Sequence, residues 1–200
     1  MPKAEQKGPP PTSSETSGPP PESVLKPALR LLSARARSVR ELRDRLHKKS
    51  LDPQDISYCL QWLEARGFLN DEDFAGALVR DRLRFSPRSP FILKRELKEK
   101  GVEAGLAERV VERVCAEEGY STNDLAQIAA EDWVRKQGST IQGNLIQDRF
   151  SPEREKARRR LYGFLARRGF AGDAARWGIE VGEEKARVMA EEKEARKEGD

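Results

Sequence analysis

An apolar pattern that recurs three times along the chain limits the possible folds more than any other feature of the sequence. Its second copy consists of Leu93, Leu97, Val102 and Val111. A shift of 51 residues toward the N terminus gives Leu42, Leu46, Leu51 and Leu60, and a shift of 68 residues toward the C terminus gives Leu161, Leu165, Phe170 and Ile179. The match of four apolar positions at fixed offsets predicts tandem copies of one small unit, and each copy is expected to bury its apolar face against its neighbours.

The spacing inside each copy is helical. Apolar residues recur at three- and four-residue steps, as in Leu25, Ala28, Leu29 and Leu32. Helix starts are marked by a capping residue before proline at Asp52, Ser89 and Ser151, and glycines mark helix ends. No segment alternates with period two, so a sheet is not expected. We therefore predict an all-α fold, an elongated and curved solenoid of three tandem three-helix repeats.

The repeats predict the division of the chain. Residues 1–23 are rich in Pro, Ser and Gly and are expected to form a disordered arm, or a Pro-rich ligand for a partner domain. The three repeats span 24–69, 70–120 and 121–182, the third opening at Asn123-Asp124 and containing a longer polar loop at 137–152. Residues 183–200 alternate acids with bases and predict a solvated tail, helical with fraying or disordered.

Positive charge is concentrated in the repeats. Residues 1–24 have two bases and three acids, and residues 183–200 have five bases and seven acids, so the overall charge of +4 leaves +7 for residues 25–182. This favours an anionic partner, either nucleic acid or an acidic protein surface. No run reaches the roughly 18 apolar residues of a membrane span, and the start lacks the apolar core of a signal peptide, so a cytoplasmic protein is expected.

Catalytic groups are scarce in this sequence. His47, the only histidine, lies among Arg45, Lys48 and Lys49 and is expected to be a solvated surface residue. Cys59 and Cys115 lie in apolar helical patterns and are expected to be buried reduced thiols, with a disulfide or metal role as the alternative. No metal-ligand cluster, phosphate loop or nucleophile motif is present, so we expect neither an enzyme nor a cofactor.

Basic residues cluster on the middle helices and on the first helix of the second copy. The residues that we expect to contact a partner or DNA are Arg40, Arg43, Lys48, Arg80, Arg82, Arg84, Lys94, Arg95, Lys98, Arg158, Arg159, Arg160, Tyr162, Arg167 and Arg168. Because the leucines take one side of each middle helix, these bases should face mostly outward. A solvated face, paired in part with nearby acids, is the alternative.

Two features limit how nucleic acid would be recognised. The last helices of the first two copies contain few bases, which argues against a helix-turn-helix that reads base sequence in the major groove. Most aromatics fall on apolar faces and should be core, namely Trp62, Phe74, Phe164 and Phe170. Tyr162 is the one aromatic that we expect to be exposed, where it either contacts a partner or base or packs locally.

Three segments of the repeats are distinctive, namely Gly67-Phe-Leu-Asn-Asp71-Glu-Asp-Phe74-Ala, Leu93-Lys-Arg-Glu-Leu97-Lys-Glu-Lys-Gly101-Val102 and Leu161-Tyr-Gly-Phe-Leu165-Ala-Arg-Arg-Gly169-Phe170. Together they resemble the RecX family, which regulates the bacterial RecA recombinase. The resemblance covers roughly residues 25–182. It departs from the pattern at Ser50, which replaces the glycine of the other copies at a helix end, and in both tails.

The resemblance implies a function as well as a fold. It implies a non-enzymatic monomer that binds RecA, lies in the groove of the RecA–DNA filament and restrains recombination, ATP hydrolysis and coprotease activity, as part of DNA repair and the SOS response. Weak direct DNA binding is compatible with it. A general phosphate-contacting nucleic-acid-binding repeat protein is the alternative, and a purely structural adaptor is a third hypothesis.

Overall fold

The computed structural model describes residues 18–198, with side chains to residue 197, and this part of the chain is helical without strands. Its helices are α1 Glu22–Ala34, α2 Val39–His47, α3 Pro53–Ala65, α4 Asp71–Phe85, α5 Pro90–Glu99, α6 Ala104–Glu117, α7 Thr122–Arg135, α8 Ser139–Leu145, α9 Pro152–Arg167 and α10 Gly172–Glu198. The first 17 residues of the predicted arm lie outside the described residues. Helix α1 begins two residues before the predicted start of the first repeat.

The chain divides into two compact units. The first contains the described residues up to Arg37 together with Glu41–Leu69, and the second contains Ser38–Arg40 together with the chain from Asn70 onward. In the first unit Leu42, Leu46 and Leu60 are almost fully buried, as the repeat pattern predicts, whereas Leu51, the fourth repeat position, is half-buried.

In the second unit one core unites the second and third copies. It contains both sets of repeat positions, namely Leu93, Leu97, Val102, Val111, Leu161, Leu165 and Phe170, with Ile179 packed at its edge. Each of these helices therefore lacks a complete core until the neighbouring copy is in place. The prediction of an all-α repeat fold is confirmed, and the elongated, curved shape stays a prediction.

Side-chain caps define most of the helix starts. Asp52 accepts from the amides of Gln54 and Asp55 at 2.7 and 3.2 Å, as expected of a capping residue before proline. The capping residue of helix α7 is Ser121, two residues before Asn123, where the sequence predicted the opening of the third copy. Ser121 and Asp124 form a reciprocal capping box there, and this arrangement satisfies two backbone donors at once.

The departure at Ser50 leaves the end of the middle helix unchanged. Ser50 has φ +55°, in the same left-handed region as Gly101 at +90° and Gly169 at +84°. A side chain in this region costs about 1 kcal/mol or more relative to glycine. The repeat geometry therefore imposes the left-handed turn even where the sequence does not supply glycine.

We expect Ser50→Gly to stabilise the protein. Relief of the left-handed strain should exceed the entropy that glycine adds to the unfolded chain, for a net gain of about 0.5 kcal/mol. The comparison is the urea midpoint of the variant with that of Ser50→Ala, which keeps the Cβ and should gain nothing. Equal midpoints for the two variants would contradict the assignment of strain.

The predicted polar loop at 137–152 contains a helix. Residues Ser139–Leu145 form α8, and Leu145 is fully buried with Val134, Ala157 and Ala186 in a second small cluster. Apolar Ile141 and Leu145 stand four residues apart, which suits one face of a short helix. The loop prediction is wrong over this stretch because the burial of Leu145 against other helices outweighs the polarity of its neighbours in sequence.

The C-terminal segment is not fully solvated. Helix α10 runs without a break through residues 182 and 183, and Glu183 and Ala186 are buried while Val188 and Met189 are half-buried. Close packing explains the docking, since a Cβ on Gly182 would approach Leu161 Cδ2 to 2.7 Å. The expectation of a solvated tail is therefore wrong for residues 183–189. Residues 191–197 are exposed.

Candidate functional site

Many basic residues of the second unit are held by acids and form a first group, whereas others are exposed at the surface and form a second group. Arg82 belongs to the first group, because its Nε lies 3.1 Å from each carboxylate oxygen of Glu96, and Arg88 Nη1 lies 3.0 Å from the same carboxylate. Burial alone raises the pKa of Glu96, but hydrogen bonding and charge from Arg82, with the charge of Arg88, outweigh it, so the pKa lies below its usual range. This cluster ties α4 to α5.

Lys94 connects α5 to α6. Its Nζ lies 2.8 Å from Glu108 and 2.9 Å from Glu112, and the hydrogen bonds that it donates to these carboxylates raise the pKa of the lysine. Arg80 pairs with Glu117 at 2.9 Å and Arg95 with Glu99 at 3.6 Å, in more exposed positions. Exposed pairs of this kind are worth about 0–1 kcal/mol and leave the cations accessible.

Helix α9 contains both groups of cations. Arg158 contacts both carboxylate oxygens of buried Glu183 at 2.9 and 3.0 Å, and Arg154 Nε contacts the same carboxylate at 3.0 Å. Arg159 pairs with Glu155 one turn away in exposed positions. Arg160 and Arg167 are exposed without a partner of this kind. Of the three consecutive arginines, the first therefore docks α10, and only the third is unpaired.

Arg168 is the clearest departure from an outward-facing base. Its Nη1 donates to Ser86 Oγ at 2.9 Å and to the Pro87 carbonyl at 3.0 Å, and its guanidinium lies 4.4 Å from the centre of the Phe164 ring. Burial lowers the pKa of this arginine, and the charge of Arg88 lowers it further. The expectation that the predicted bases face outward is wrong for Arg168 and Arg82, because neutral oxygens hold Arg168 and the half-buried carboxylate of Glu96 holds Arg82 against the fold.

The other predicted cations lie at the surface. In the first unit Arg43 and Lys48 are exposed. In the second unit Arg40, Arg84 and Lys98 are exposed, and the Arg84 guanidinium lies 5.3 Å from the centre of the Phe85 ring. The structure thus leaves a set of accessible cations that is smaller than the predicted one.

Exposed aromatic residues are more numerous than the sequence predicted. Tyr162 is 50% exposed, but Phe85, Phe91 and Phe150 are 69%, 68% and 87% exposed. The available signal was local, because Arg-Phe-Ser-Pro occurs at both 84–87 and 149–152, just outside the apolar register of the repeats. The expectation that Tyr162 is the one exposed aromatic is therefore wrong. The core assignment of Phe74 and Phe170 is confirmed, and Trp62 and Phe164 are half-buried.

Groups for other chemistry are sparse in residues 18–197. His47 is exposed, and no cluster of histidine, cysteine and acidic side chains that could hold a metal ion occurs among these residues. Cys59 and Cys115 are free and buried, as predicted, and burial raises the pKa of both thiols. None of the helices in the described part of the chain combines the length and apolarity of a bilayer-crossing segment.

Tandem helical units of this kind define the class of all-α helical repeat proteins. Two family profiles match the chain: the first three-helix domain of RecX over residues 28–63 and the second three-helix domain of RecX over residues 70–111. The chain belongs to the RecX family.

Sequence relatives and solved structures agree with this assignment. The chain is 39% identical to Regulatory protein RecX of Corynebacterium efficiens over 147 residues, a match that covers 74% of this chain and just under two thirds, 65%, of that relative. It is 33% identical to Regulatory protein RecX of Mycobacterium avium, covering 84% of this chain and 87% of that one. The crystal structure of RecX from Lactobacillus salivarius superposes with a TM-score of 0.58 at 20% identity, covering 80% of this chain and 97% of that chain, and so supports the fold.

Proposed function

We propose that this protein is a non-enzymatic regulator that inhibits RecA by binding in the groove of the RecA–DNA filament. The supporting observation is the family, whose members are named regulatory proteins. The accessible cations of the middle helices would meet the filament, and repeated faces would engage several RecA protomers at once, which multiplies weak contacts. Binding would restrain recombination, ATP hydrolysis and coprotease activity.

Structural and interfacial cations have to be separated in any test. Reversing Arg158 would leave Arg154 and buried Glu183 without their network, so loss of inhibition could reflect unfolding alone. Lys98, Arg160 and Arg167 avoid this problem, because they are exposed and none of the salt bridges described above involves them. These three residues are the proposed contact set, together with Arg43 and Lys48 of the first unit.

We expect the triple variant Lys98→Glu, Arg160→Glu and Arg167→Glu to inhibit RecA on the order of tenfold less effectively, because like charges would then face an anionic surface. The measurement is the protein concentration that halves RecA ATPase on single-stranded DNA. Far-UV circular dichroism should show unchanged helix content.

The matched control reverses three exposed cations near the end of α10, Lys193, Arg196 and Lys197, and so changes the net charge equally. This control should inhibit RecA like the unmodified protein. If both triple variants lose inhibition alike, net charge rather than the middle helices governs binding. Full inhibition by the first variant would show that the proposed face is wrong.

A general nucleic-acid-binding role is the second candidate, favoured by the unpartnered cations. Binding through phosphates should weaken by about 0.9 log unit per contact for each tenfold rise in salt. We expect weak, salt-sensitive binding to bare DNA and tighter binding to filaments. Equal affinity for bare DNA and for filaments, without an effect on RecA ATPase, would favour the second candidate.

We further propose that the protein acts as a monomer in the cytoplasm.

A further inference from the structure

The second unit contains a small aromatic cleft that the proposed RecA contact does not use. It lies between the end of α4, the C-terminal end of α7 and the C-terminal half of α9, and its volume is about 110 Å³. This is well below the roughly 300 Å³ at which sites for drug-sized ligands begin. The cleft therefore suits one planar group rather than a complete nucleotide cofactor.

Three rings line the cleft. The Trp133 and Phe164 rings lie 6.1 Å apart at an interplanar angle of 43°, and Phe85, also in the lining, is 69% exposed. The Arg168 guanidinium covers Phe164 at 4.4 Å and adds another flat surface. Flat aromatic and guanidinium surfaces bind planar rings by stacking, and this interaction tolerates different ring chemistries.

The surroundings of the cleft are cationic. Arg168 is bonded to neutral oxygens of Ser86 and Pro87, and exposed Lys136 in the lining has no acid partner. Asp132 is the acid of the lining, and its carboxylate already accepts from Arg135 at 2.9 Å. Arg84, next to the exposed Phe85, adds a further positive charge. A planar ring that is attached to an anionic chain matches this combination.

We propose that this cleft binds one unstacked base of single-stranded nucleic acid, with the adjoining phosphates near Arg84 and Lys136. An aromatic side chain of a protein would fill the same volume, but its peptide backbone is neutral, whereas every nucleotide of a nucleic acid brings a phosphate to these cations. Stacking supplies affinity without reading the identity of the nucleobase. This agrees with the small number of Lys and Arg residues on the last helices of the first two repeats, which argues against sequence-specific recognition. The proposal rests on the direct nucleic-acid binding named above as the second candidate, and it requires no RecA. A comparison of normal and abasic oligonucleotides separates its failure from a failure of phosphate binding or of RecA inhibition.

The matched pair Phe85→Ala and Phe150→Ala tests the proposal. Both residues are highly exposed and occur in Arg-Phe-Ser-Pro segments, but Phe85 lines the cleft and Phe150 does not. The probes are a fluorescein-labelled single-stranded thymidylate oligonucleotide and an abasic oligonucleotide of equal length and charge, without RecA. Fluorescence anisotropy gives the dissociation constants, and thermal unfolding checks that both variants are folded.

We expect Phe85→Ala to weaken binding of the thymidylate oligonucleotide about tenfold and Phe150→Ala to leave it unchanged. The abasic oligonucleotide should bind the unmodified protein more weakly and be insensitive to Phe85→Ala. Equal affinity for the two oligonucleotides, or equal effects of the two substitutions, would overturn the proposal. So would a Phe85→Ala variant that loses only RecA binding, since the cleft would then take a protein side chain.

Tryptophan emission gives an independent measurement. A base stacked in the cleft should quench Trp133, so the quenching by the thymidylate oligonucleotide should fall when Trp133→Phe removes that emitter. Quenching that persists in full would place the base elsewhere and overturn the proposal.

Discussion

Gly169→Ala is expected to destabilise the second unit by roughly 3 kcal/mol or more. Gly169 has φ +84°, and a Cβ there would lie 2.3 Å from both Ile92 Cγ1 and Ser89 Oγ. Ile92 and Ser89 are buried, and the Ser89 amide donates to the Arg168 carbonyl at 2.9 Å, so neither side chain can move aside without disturbing this contact. The free-energy cost of the strained backbone therefore adds to the cost of displacing the contact between the second and third repeats.

Gly119→Ala is the matched control. Gly119 has a similar φ of +71°, but a Cβ there would meet nothing within 4 Å. Only the conformational cost of about 1 kcal/mol should remain. Urea unfolding followed by far-UV circular dichroism gives both free energies. Equal losses for the two variants would mean that the neighbouring repeat yields to the added methyl group.

A chain that ends at Gly182 is expected to lose roughly 3 kcal/mol of stability, because it lacks Glu183, buried Ala186 and half-buried Met189. Without Glu183, Arg154 and Arg158 lose the carboxylate that holds them. This result would contrast with the sequence-based expectation that the tail from residue 183 is solvated and contributes little.

A chain that ends at Ala190 keeps these contacts and should retain full stability within about 0.5 kcal/mol. The substitution Glu183→Gln separates charge from packing, since it keeps the volume of the side chain while weakening both arginine contacts, and about 1–2 kcal/mol should be lost. Thermal and urea unfolding of the two shortened chains and of Glu183→Gln, each compared with the full chain, measure these losses of stability. Equal stability of the chains that end at 182 and 190 would show that the contacts of α10 beyond Gly182 contribute nothing.

Some of the candidate surface could be predicted from spacing alone. Lys98, Arg160 and Arg167 lie off the leucine positions of their helices and are exposed, as helical periodicity requires. Arg82 and Arg168 lie off the apolar stripe too, but they turn toward partners that are 14 or more residues away in sequence, namely Glu96, Ser86 and Pro87. Periodicity reports which face of a helix meets its own core and says nothing about such distant acceptors.

The aromatic residues illustrate the same limit. Phe74 and Phe170 fit the apolar register and are buried, whereas Phe85 and Phe150 follow arginine just outside it and are exposed. The cleft that contains Phe85 is formed by three helices, one from the second repeat and two from the third. A sequence pattern can suggest that such a phenylalanine lacks a core position, but it cannot show which rings and cations surround it.

The sequence by itself determined the helical class, the three-fold register and most of the core positions from Leu42 to Phe170, because the helical spacing of apolar side chains is a local property that repeats along the chain. Tertiary structure decided which cations remain accessible, how α8 and the end of α10 dock, and where the aromatic cleft forms. These features depend on contacts between residues far apart in sequence. Ser50 shows the influence of sequence and of tertiary structure together. Its left-handed conformation is one that serine rarely adopts, but the geometry of the repeat requires it.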